Sequence, residues 1–167
     1  AFATQEAASI RSIAQQFQIP LQADPVSQVR YHEESCDILI DQYDSILRSQ
    51  ESTTLTPDLI LRFGQNPTSK AYTTWRKQYS QVQEWLVDTY GQMSQPSQQA
   101  QYLLSAKASD LLHYLQAHLN ASHEHNEWIS TWCSLQKHVQ TMLHQTLEQS
   151  EFWEGAIARD TLYAMPK

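Results

Sequence analysis

Glycine is scarce in this sequence: its 167 residues include only three, Gly64, Gly91 and Gly155. Sheet-rich folds use glycine in turns, and nucleotide-binding loops use it where the backbone approaches a phosphate. Neither a G-x-x-x-x-G-K-[ST] loop nor a G-x-G-x-x-G loop can be written here. The scarcity therefore argues against a sheet-rich fold and against a phosphate-binding loop.

The sequence also has few basic residues and no long apolar run. Lys and Arg number 11 against 18 Asp and Glu, so the net charge is −7. Nucleic-acid binding draws much of its affinity from basic residues that neutralise phosphates, so we expect no nucleic-acid partner. No apolar stretch approaches the ~20 residues that a membrane span requires, so we expect no membrane span.

Cysteine is limited to Cys36 and Cys133. A disulfide-stabilised secreted domain would use more, so reduced thiols in a cytoplasmic protein are expected. Because Ala1 is not methionine, we expect the chain to be processed or to be a piece of a longer protein.

Apolar residues recur at spacings of three and four along most of the chain, which predicts α-helices. Asp24-Pro25 and Asn66-Pro67 each combine an N-cap residue with a proline suited to the first helical turn. Two short helices are predicted over residues 4–17 and 56–63. Four long helices are predicted over 24–49, from Asn66, over 98–119 and after a turn at residues 120–122. The sequence thus predicts an all-α fold: a single domain over residues 1–167, an antiparallel helical bundle of four long helices plus two short ones.

One apolar series supports the bundle directly. Trp75, Tyr79, Val82 and Leu86 follow one another at four, three and four residues, which is a heptad-like seam. Such a seam also makes a homodimer plausible. We find no alternation of apolar and polar residues that would indicate a strand.

The histidines and cysteines do not form a catalytic or metal-binding pattern. His32 and Cys36 are four residues apart, but two ligands are fewer than the three or four that zinc requires. His123 and His125 are two residues apart and would point to different sides of a helix. Cys133 follows Trp132 in a predicted helix, where packing is its expected role. We therefore predict no enzyme, no metal and no cofactor.

Two segments resemble the cyclase-associated protein family. Asn66-Pro67-Thr68-Ser69-Lys70-Ala71-Tyr72, followed by Val82-Gln83-Glu84-Trp85-Leu86-Val87, is similar to one helix of that family. The family's final helix is resembled by His125, Trp128, Leu135, Gln136, His144, Thr146 and Trp153. The sequence departs from the family in the loop over residues 91–96 and in lacking a glycine before the last tryptophan.

The resemblance implies the N-terminal helical folded domain of that family. Such a domain binds actin with cofilin and promotes filament disassembly and monomer recycling, which places it in the cytoplasm at the cytoskeleton. It would not be an enzyme. The densest basic cluster, together with the polar residues that open the resembling segment, gives the expected partner-binding residues: Asn66, Ser69, Lys70, Arg76 and Lys77.

Two alternatives stay open at this point. One is a helical scaffold or adaptor domain that binds a partner protein and is unrelated to actin, through a groove that accepts a partner helix. The other is a bundle that binds a small molecule or a metal, because the aromatic series around Trp75 and Trp128 could line a pocket as well as a core.

Overall fold

The computed structural model describes residues 4–30, 36–91, 100–120, 127–149 and 154–165. Within these ranges, helices alternate with short strands. In chain order the elements are α1 (Thr4–Gln16), β1 (Leu21–Gln22), β2 (Leu39–Ile40), α2 (Tyr43–Arg48), β3 (Leu59–Phe63), α3 (Lys70–Gln78), β4 (Gln83–Val87), β5 (Tyr102–Leu104), α4 (Ala108–His118), α5 (Glu127–Gln149) and α6 (Glu154–Ala164). Two 3-10 helices, Gln28–Arg30 and Gln50–Thr54, lie in the connections.

The strands form two parallel sheets. β1 pairs with β2, with Leu21 opposite Leu39. The second sheet has the order β3-β4-β5, with Trp85 opposite both Leu61 and Tyr102. Parallel strands require crossover connections, and α3 provides one between β3 and β4. The fold is therefore mixed α/β, and the prediction of an all-α antiparallel bundle is wrong.

The error at β3 has a local cause. The segment Leu59–Phe63, predicted as a helix, is a strand. A strand covered on both faces reads as a continuous apolar run, and over five residues such a run cannot be distinguished from a helical face by periodicity. Pro57 before the run and Gly64 after it, with its φ of +76°, bound a strand as readily as a helix.

The other predicted long helices fail in the same way, with one exception. The helix expected from Asn66 ends at Gln78 and is followed by strand β4, so the heptad-like seam divides between helix and strand. The region 98–119 contains β5 and α4, and the region 24–49 contains a 3-10 helix, the short strand β2 and α2. Helix α5, with 23 residues, and the short α1 follow the sequence-based prediction.

Scarce glycine is compatible with these sheets because none of their described connections is a tight hairpin. Hairpins between antiparallel strands require residues with positive φ, usually glycine. Parallel strands joined by helices do not require them. The inference from glycine content to an all-α fold therefore excluded antiparallel sheets but not parallel ones.

Helices cover both faces of the strands. On one face α1 packs on α4, and Leu21 of β1, Leu39 of β2 and Phe63 of β3 contact their shared cluster. That cluster is formed by Ala7, Ile10, Ile13, Ala23, Val29 and Leu112.

On the other face α2, α3 and α5 enclose the largest core, which includes Ile40, Ile46, Trp75 and Trp132, with Ile60 of β3 packed against it. Complete burial of one such aliphatic side chain is worth roughly 1.5–3 kcal/mol.

Helix α5 closes the outer side of β2. The backbone N–H of Gln42 donates to Oε1 of Gln136 at 3.0 Å, and the Gln136 amide donates to the Asp41 carboxylate. The Cys133 thiol donates to the carbonyl oxygen of Asp37 at 3.3 Å. None of the described helices is long and apolar enough to cross a membrane.

Candidate functional site

The carboxyl ends of the parallel strands are the first place to search for a site. In open parallel sheets, ligands bind in the crevice outside these ends, often at the amino terminus of the following helix. Here the loop over residues 64–69 connects β3 to α3, and Asp24 follows β1 by two residues. The amino end of α3 is therefore the candidate site.

Ser69 caps α3 and is itself nearly buried, with 8% of its surface exposed. Its Oγ accepts a hydrogen bond from the backbone N–H of Tyr72 at 3.0 Å. The same hydroxyl donates to Oδ1 of Asp44 at 2.5 Å. The Arg48 guanidinium, 2.8 Å from Asp44, is the main cause that lowers the pKa of this carboxyl group, and the Ser69 hydroxyl is the second.

Asp24 approaches the same helix end from the other side. Its Oδ2 accepts from the backbone N–H of Thr68 at 2.8 Å, from the Thr68 hydroxyl at 3.0 Å and from the Tyr43 hydroxyl at 3.4 Å. Burial works to raise the pKa of Asp24, but the hydrogen bonds from Thr68, Val26 and Tyr43 outweigh it and the pKa is lowered. Burial and the nearby Asp24 charge raise the pKa of Tyr43 to about 12.

The two carboxylates occupy the positions in which an anionic ligand would sit. A phosphate at a helix amino terminus is held by backbone N–H groups and by the positive end of the helix dipole. In this chain Asp24 takes the N–H of Thr68, and the Ser69–Asp44 pair takes the next donors along the helix. The candidate site is therefore filled by side chains of the protein itself.

A buried ion triad connects β3, β4 and the last turn of α3. Glu84 of β4 is 0% exposed and receives Arg62 Nε of β3 at 2.6 Å and Arg76 Nε of α3 at 2.9 Å. Arg62 also donates to the carbonyl of Gly64, and Arg76 donates to the carbonyls of Tyr79 and Val82. The triad joins the two strands and the helix of one βαβ unit, which is a structural role.

The residues predicted to bind a partner lie on this unit but do not share one surface. Ser69 is the buried cap of α3, and Arg76 is 1% exposed and committed to the triad. Asn66 is half-buried in the loop before α3. Lys70 and Lys77 are exposed on α3.

Sequence reasoning missed Asp24, Asp44 and Glu84. Asp24 was interpreted as the N-cap of a helix, although its carboxylate serves a different helix 44 residues further on. The signal for Glu84 was its place beside the apolar run Trp85-Leu86-Val87, where a charge in a covered strand requires a buried partner.

Other chemistry predicted to be absent is not contradicted by the described residues. They contain no group of three or more His, Cys, Asp or Glu that could hold a metal ion. His32, His123 and His125 lie outside the described residues. Cys36 and Cys133 are free, partly buried thiols, and burial raises the pKa of Cys133, which is opposite to what an activated nucleophile requires.

Comparison with known proteins gives a consistent result. The family model described as the middle domain of thiamine pyrophosphate enzymes matches residues 1–167. A 2-succinyl-5-enolpyruvyl-6-hydroxy-3-cyclohexene-1-carboxylate synthase from Geobacillus thermodenitrificans is 29% identical over 161 residues, covering 96% of this chain and 27% of the relative. Synthases of the same name from Bacillus pumilus and Bacillus cytotoxicus are 26% and 29% identical and are covered over 28% and 27% of their length. The chain thus spans little more than a quarter of these relatives.

These matches overturn the resemblance to the cyclase-associated protein family. In the first segment that carried the resemblance, residues 66–72 form a loop and the start of α3, and residues 83–87 form strand β4. The helix expected over residues 82–87 therefore does not exist. The predicted actin and cofilin partners, the role in filament disassembly and the cytoskeletal location are wrong with it, and the scaffold alternative has no better support. The prediction that the chain is not part of an enzyme is also wrong. The chain belongs to the family of middle domains of thiamine pyrophosphate enzymes.

Proposed function

We propose that residues 1–167 form one domain of a longer thiamine pyrophosphate-dependent synthase, whose product is 2-succinyl-5-enolpyruvyl-6-hydroxy-3-cyclohexene-1-carboxylate. The proposal is supported by relatives of that name that match 95–97% of this chain. It is also supported by their length, since the chain covers 27–28% of each. Most of the machinery of such a synthase would therefore lie in other parts of the parent protein.

The described residues of this domain do not fit thiamine pyrophosphate. A diphosphate requires donors at an accessible helix end or loop, commonly with a divalent cation held by carboxylates. At the carboxyl edge of the sheet, the amino end of α3 is already taken by Asp24 and by the Ser69–Asp44 pair. The described residues also hold no group of metal ligands. We accordingly assign cofactor binding to the rest of the parent protein.

The role we propose for the domain is to position its neighbours. The observation that carries this proposal is that Asp24 and the Ser69–Asp44 pair occupy the amino end of α3. The place where a parallel sheet usually binds a ligand is here held together by side chains of the domain itself. Among the five predicted partner-binding residues, Lys70 and Lys77 are exposed and Asn66 is half-buried. We propose that they contact an adjoining part of the same enzyme, with Ser69 and Arg76 holding α3 in place from within.

The cofactor assignment can be tested by calorimetric titration of thiamine pyrophosphate with Mg²⁺ into the parent enzyme and into the chain of residues 1–167. We expect saturable binding by the parent and no heat of binding with residues 1–167. Product formation by the parent tests the activity. Binding of the cofactor by residues 1–167 with the affinity of the parent would overturn the domain assignment. A parent that binds the cofactor but does not form the product would overturn the activity alone.

The role of Lys70 and Lys77 can be tested in the parent with the double variant Lys70→Glu/Lys77→Glu. Surface charges mainly affect association and orientation, so we expect faster proteolysis between domains and a salt-dependent loss of activity. Lys107→Glu, which changes an exposed lysine before α4, is the matched control. Equal behaviour of the two variants would remove Lys70 and Lys77 from the contact.

We also propose that the parent acts in the cytoplasm. The relatives are bacterial biosynthetic enzymes by name, and Cys36 and Cys133 are free thiols, which suits a reducing compartment.

A further inference from the structure

The two cysteines of this chain are distant in sequence but meet in one cluster of the fold. Both side chains pack against the same small core, which is formed by Ala14, Ile38 and Ile129. Cys36 reaches this core from the segment before β2, and Cys133 reaches it from the second turn of α5. Both are free thiols.

A hydrogen bond places the Cys133 sulfur beside the backbone next to Cys36. Its Sγ donates to the carbonyl oxygen of Asp37 at 3.3 Å, across 96 residues of sequence. Asp37 directly follows Cys36, and consecutive Cα atoms are about 3.8 Å apart. Burial is the main cause that raises the pKa of Cys133, and the nearby Cys36 thiol contributes in the same direction. The two thiols are therefore neighbours, and rotation of the Cys133 side chain away from Asp37 brings its sulfur toward Cys36.

The segments that carry the two thiols are fixed relative to each other. Gln136, one turn after Cys133, accepts a hydrogen bond from the backbone N–H of Gln42 at 3.0 Å. The carbonyl oxygen of Cys36 accepts from the N–H of Leu39 at 3.0 Å, which holds the turn into β2. A disulfide tolerates only a narrow range of Cα separations, so a fixed arrangement of this kind favours one pairing of thiols over others.

Both thiols can also be reached by a small oxidant. Neither cysteine is fully buried, and the residues next to them, Asp37, Ser134 and Lys137, are exposed. Cysteines with a purely structural role are typically buried and inert, whereas redox-sensing cysteines are solvent-accessible and lie beside a second thiol.

We propose that Cys36 and Cys133 form a reversible disulfide that fastens α5 to the segment before β2, with hydrogen peroxide as the oxidant and a thiol such as glutathione as the reductant. In a reducing cytoplasm disulfides are mostly transient and serve redox sensing or catalysis. The free thiols of this structure are the reduced state of the pair.

The chemistry takes place in two steps. The Cys36 thiolate attacks an oxygen of the peroxide, the O–O bond breaks, and Cys36 becomes a sulfenic acid while hydroxide leaves. The Cys133 sulfur then attacks the Cys36 sulfur, the S–S bond forms, and the S–O bond breaks. The hydroxyl group leaves as water with the proton of Cys133. Together the thiols lose two electrons, which reduce the peroxide to water.

Cys133 is assigned to the second step for two reasons. Burial raises its pKa despite the charge of Lys137 one turn away, and its S–H group is held by Asp37, so little thiolate is available to meet an oxidant from solution. Attack on a sulfenic acid held next to it is favoured by proximity, which compensates for the small thiolate fraction.

The first test identifies the bond. The reduced parent enzyme is treated with hydrogen peroxide under native conditions, free thiols are blocked with N-ethylmaleimide, and the digest is analysed by mass spectrometry. We expect the peptides that carry Cys36 and Cys133 to be joined within one chain. In the matched variants, dimedone should label Cys36 of Cys133→Ser faster than Cys133 of Cys36→Ser. Separate sulfinic acids at the two positions, or links to other cysteines or between chains, would overturn the proposal.

The second test measures what the bond does. The cross-link closes a loop of roughly a hundred residues, which opposes the opening of α5 from β2. We expect the amides of Trp132 and Gln136 in α5 to exchange with solvent roughly tenfold more slowly, or slower still, in the oxidised parent enzyme. The same treatment of Cys36→Ser should leave these rates unchanged, and excess reduced glutathione should restore the faster exchange of the wild type. Equal exchange in oxidised and reduced wild type, or a link that persists in excess reduced glutathione, would overturn the proposal.

Discussion

Replacement of Glu84 by glutamine tests the buried ion triad most directly. The carboxylate is 0% exposed, and the guanidinium groups of Arg62 and Arg76, which are 9% and 1% exposed, donate to its two oxygens. Glutamine keeps the shape but removes the negative charge and offers an NH₂ group to one guanidinium. Two buried cations are then left without a counter-charge, and breaking a buried pair in this way typically costs about 3–5 kcal/mol.

The assay is equilibrium unfolding of the parent enzyme or of the domain, monitored by tryptophan fluorescence. For a domain of 150–250 residues, 1 kcal/mol corresponds to about 2–4 °C, so the midpoint should fall by roughly 6–20 °C. Glu148→Gln is the control, because Glu148 is 60% exposed in its pair with His144 and should leave the midpoint unchanged. A loss for Glu84→Gln as small as that of the control would refute the reasoning, since it would mean that the arginines reach water.

Three further predictions concern the end of the sheet. Ser69→Ala removes the cap of α3 and the donor to Asp44 and should cost about 1–2 kcal/mol in denaturant unfolding, whereas Ser69→Thr should recover most of it; equal losses would contradict the capping role. The folded-state pKa values of Asp24 and Asp44 are lowered, so their stabilisation is complete above about pH 5 and is lost as the pH falls through about 4 and below. The stability difference between wild type and Asp24→Asn should therefore shrink on acidification, and a constant difference would contradict it. Gly91→Ala places a Cβ 2.7 Å from Ser105 Oγ at a φ of +63° and should destabilise more than Gly64→Ala, where a Cβ meets nothing within 4 Å. The double variant Gly91→Ala/Ser105→Ala should return to the level of Gly64→Ala, which would cost ~1–2 kcal/mol from backbone strain alone.

The helices that could be predicted from the sequence are those whose apolar periodicity continues long enough to distinguish a helix from a strand. α1 and α5 show apolar residues at helical spacing over 13 and 23 residues, respectively. The strands have at most five residues, over which an apolar run fits a strand and a helical face equally well. The spacing from Trp75 to Leu86 matches a heptad although α3 ends and β4 begins within it. No local pattern in the sequence marks that boundary.

The candidate site could be predicted only in part, because its contacts join residues that are distant in sequence. Ser69 was singled out as a polar residue near a predicted helix start and Arg76 as part of the densest basic cluster, and the structure places both in hydrogen bonds within the fold. Their partners Asp44 and Glu84 lie 25 and 8 residues away in sequence. Pairing over such separations depends on the arrangement of strands, which periodicity does not encode. Only the apolar surroundings of Glu84 indicated that a charge would be buried there.

The spread of these contacts along the chain also bears on the order in which the protein folds. Arg76 meets Glu84 over 8 residues and Arg62 meets it over 22, so the βαβ unit of residues 59–87 closes small loops. Helix α5 instead reaches β2 across separations of 94 to 96 residues. Contacts of low sequence separation form early, and distant ones wait for larger loops to close. We therefore expect the ion triad to form early and the covering of β2 by α5 to form in the last stage of assembly.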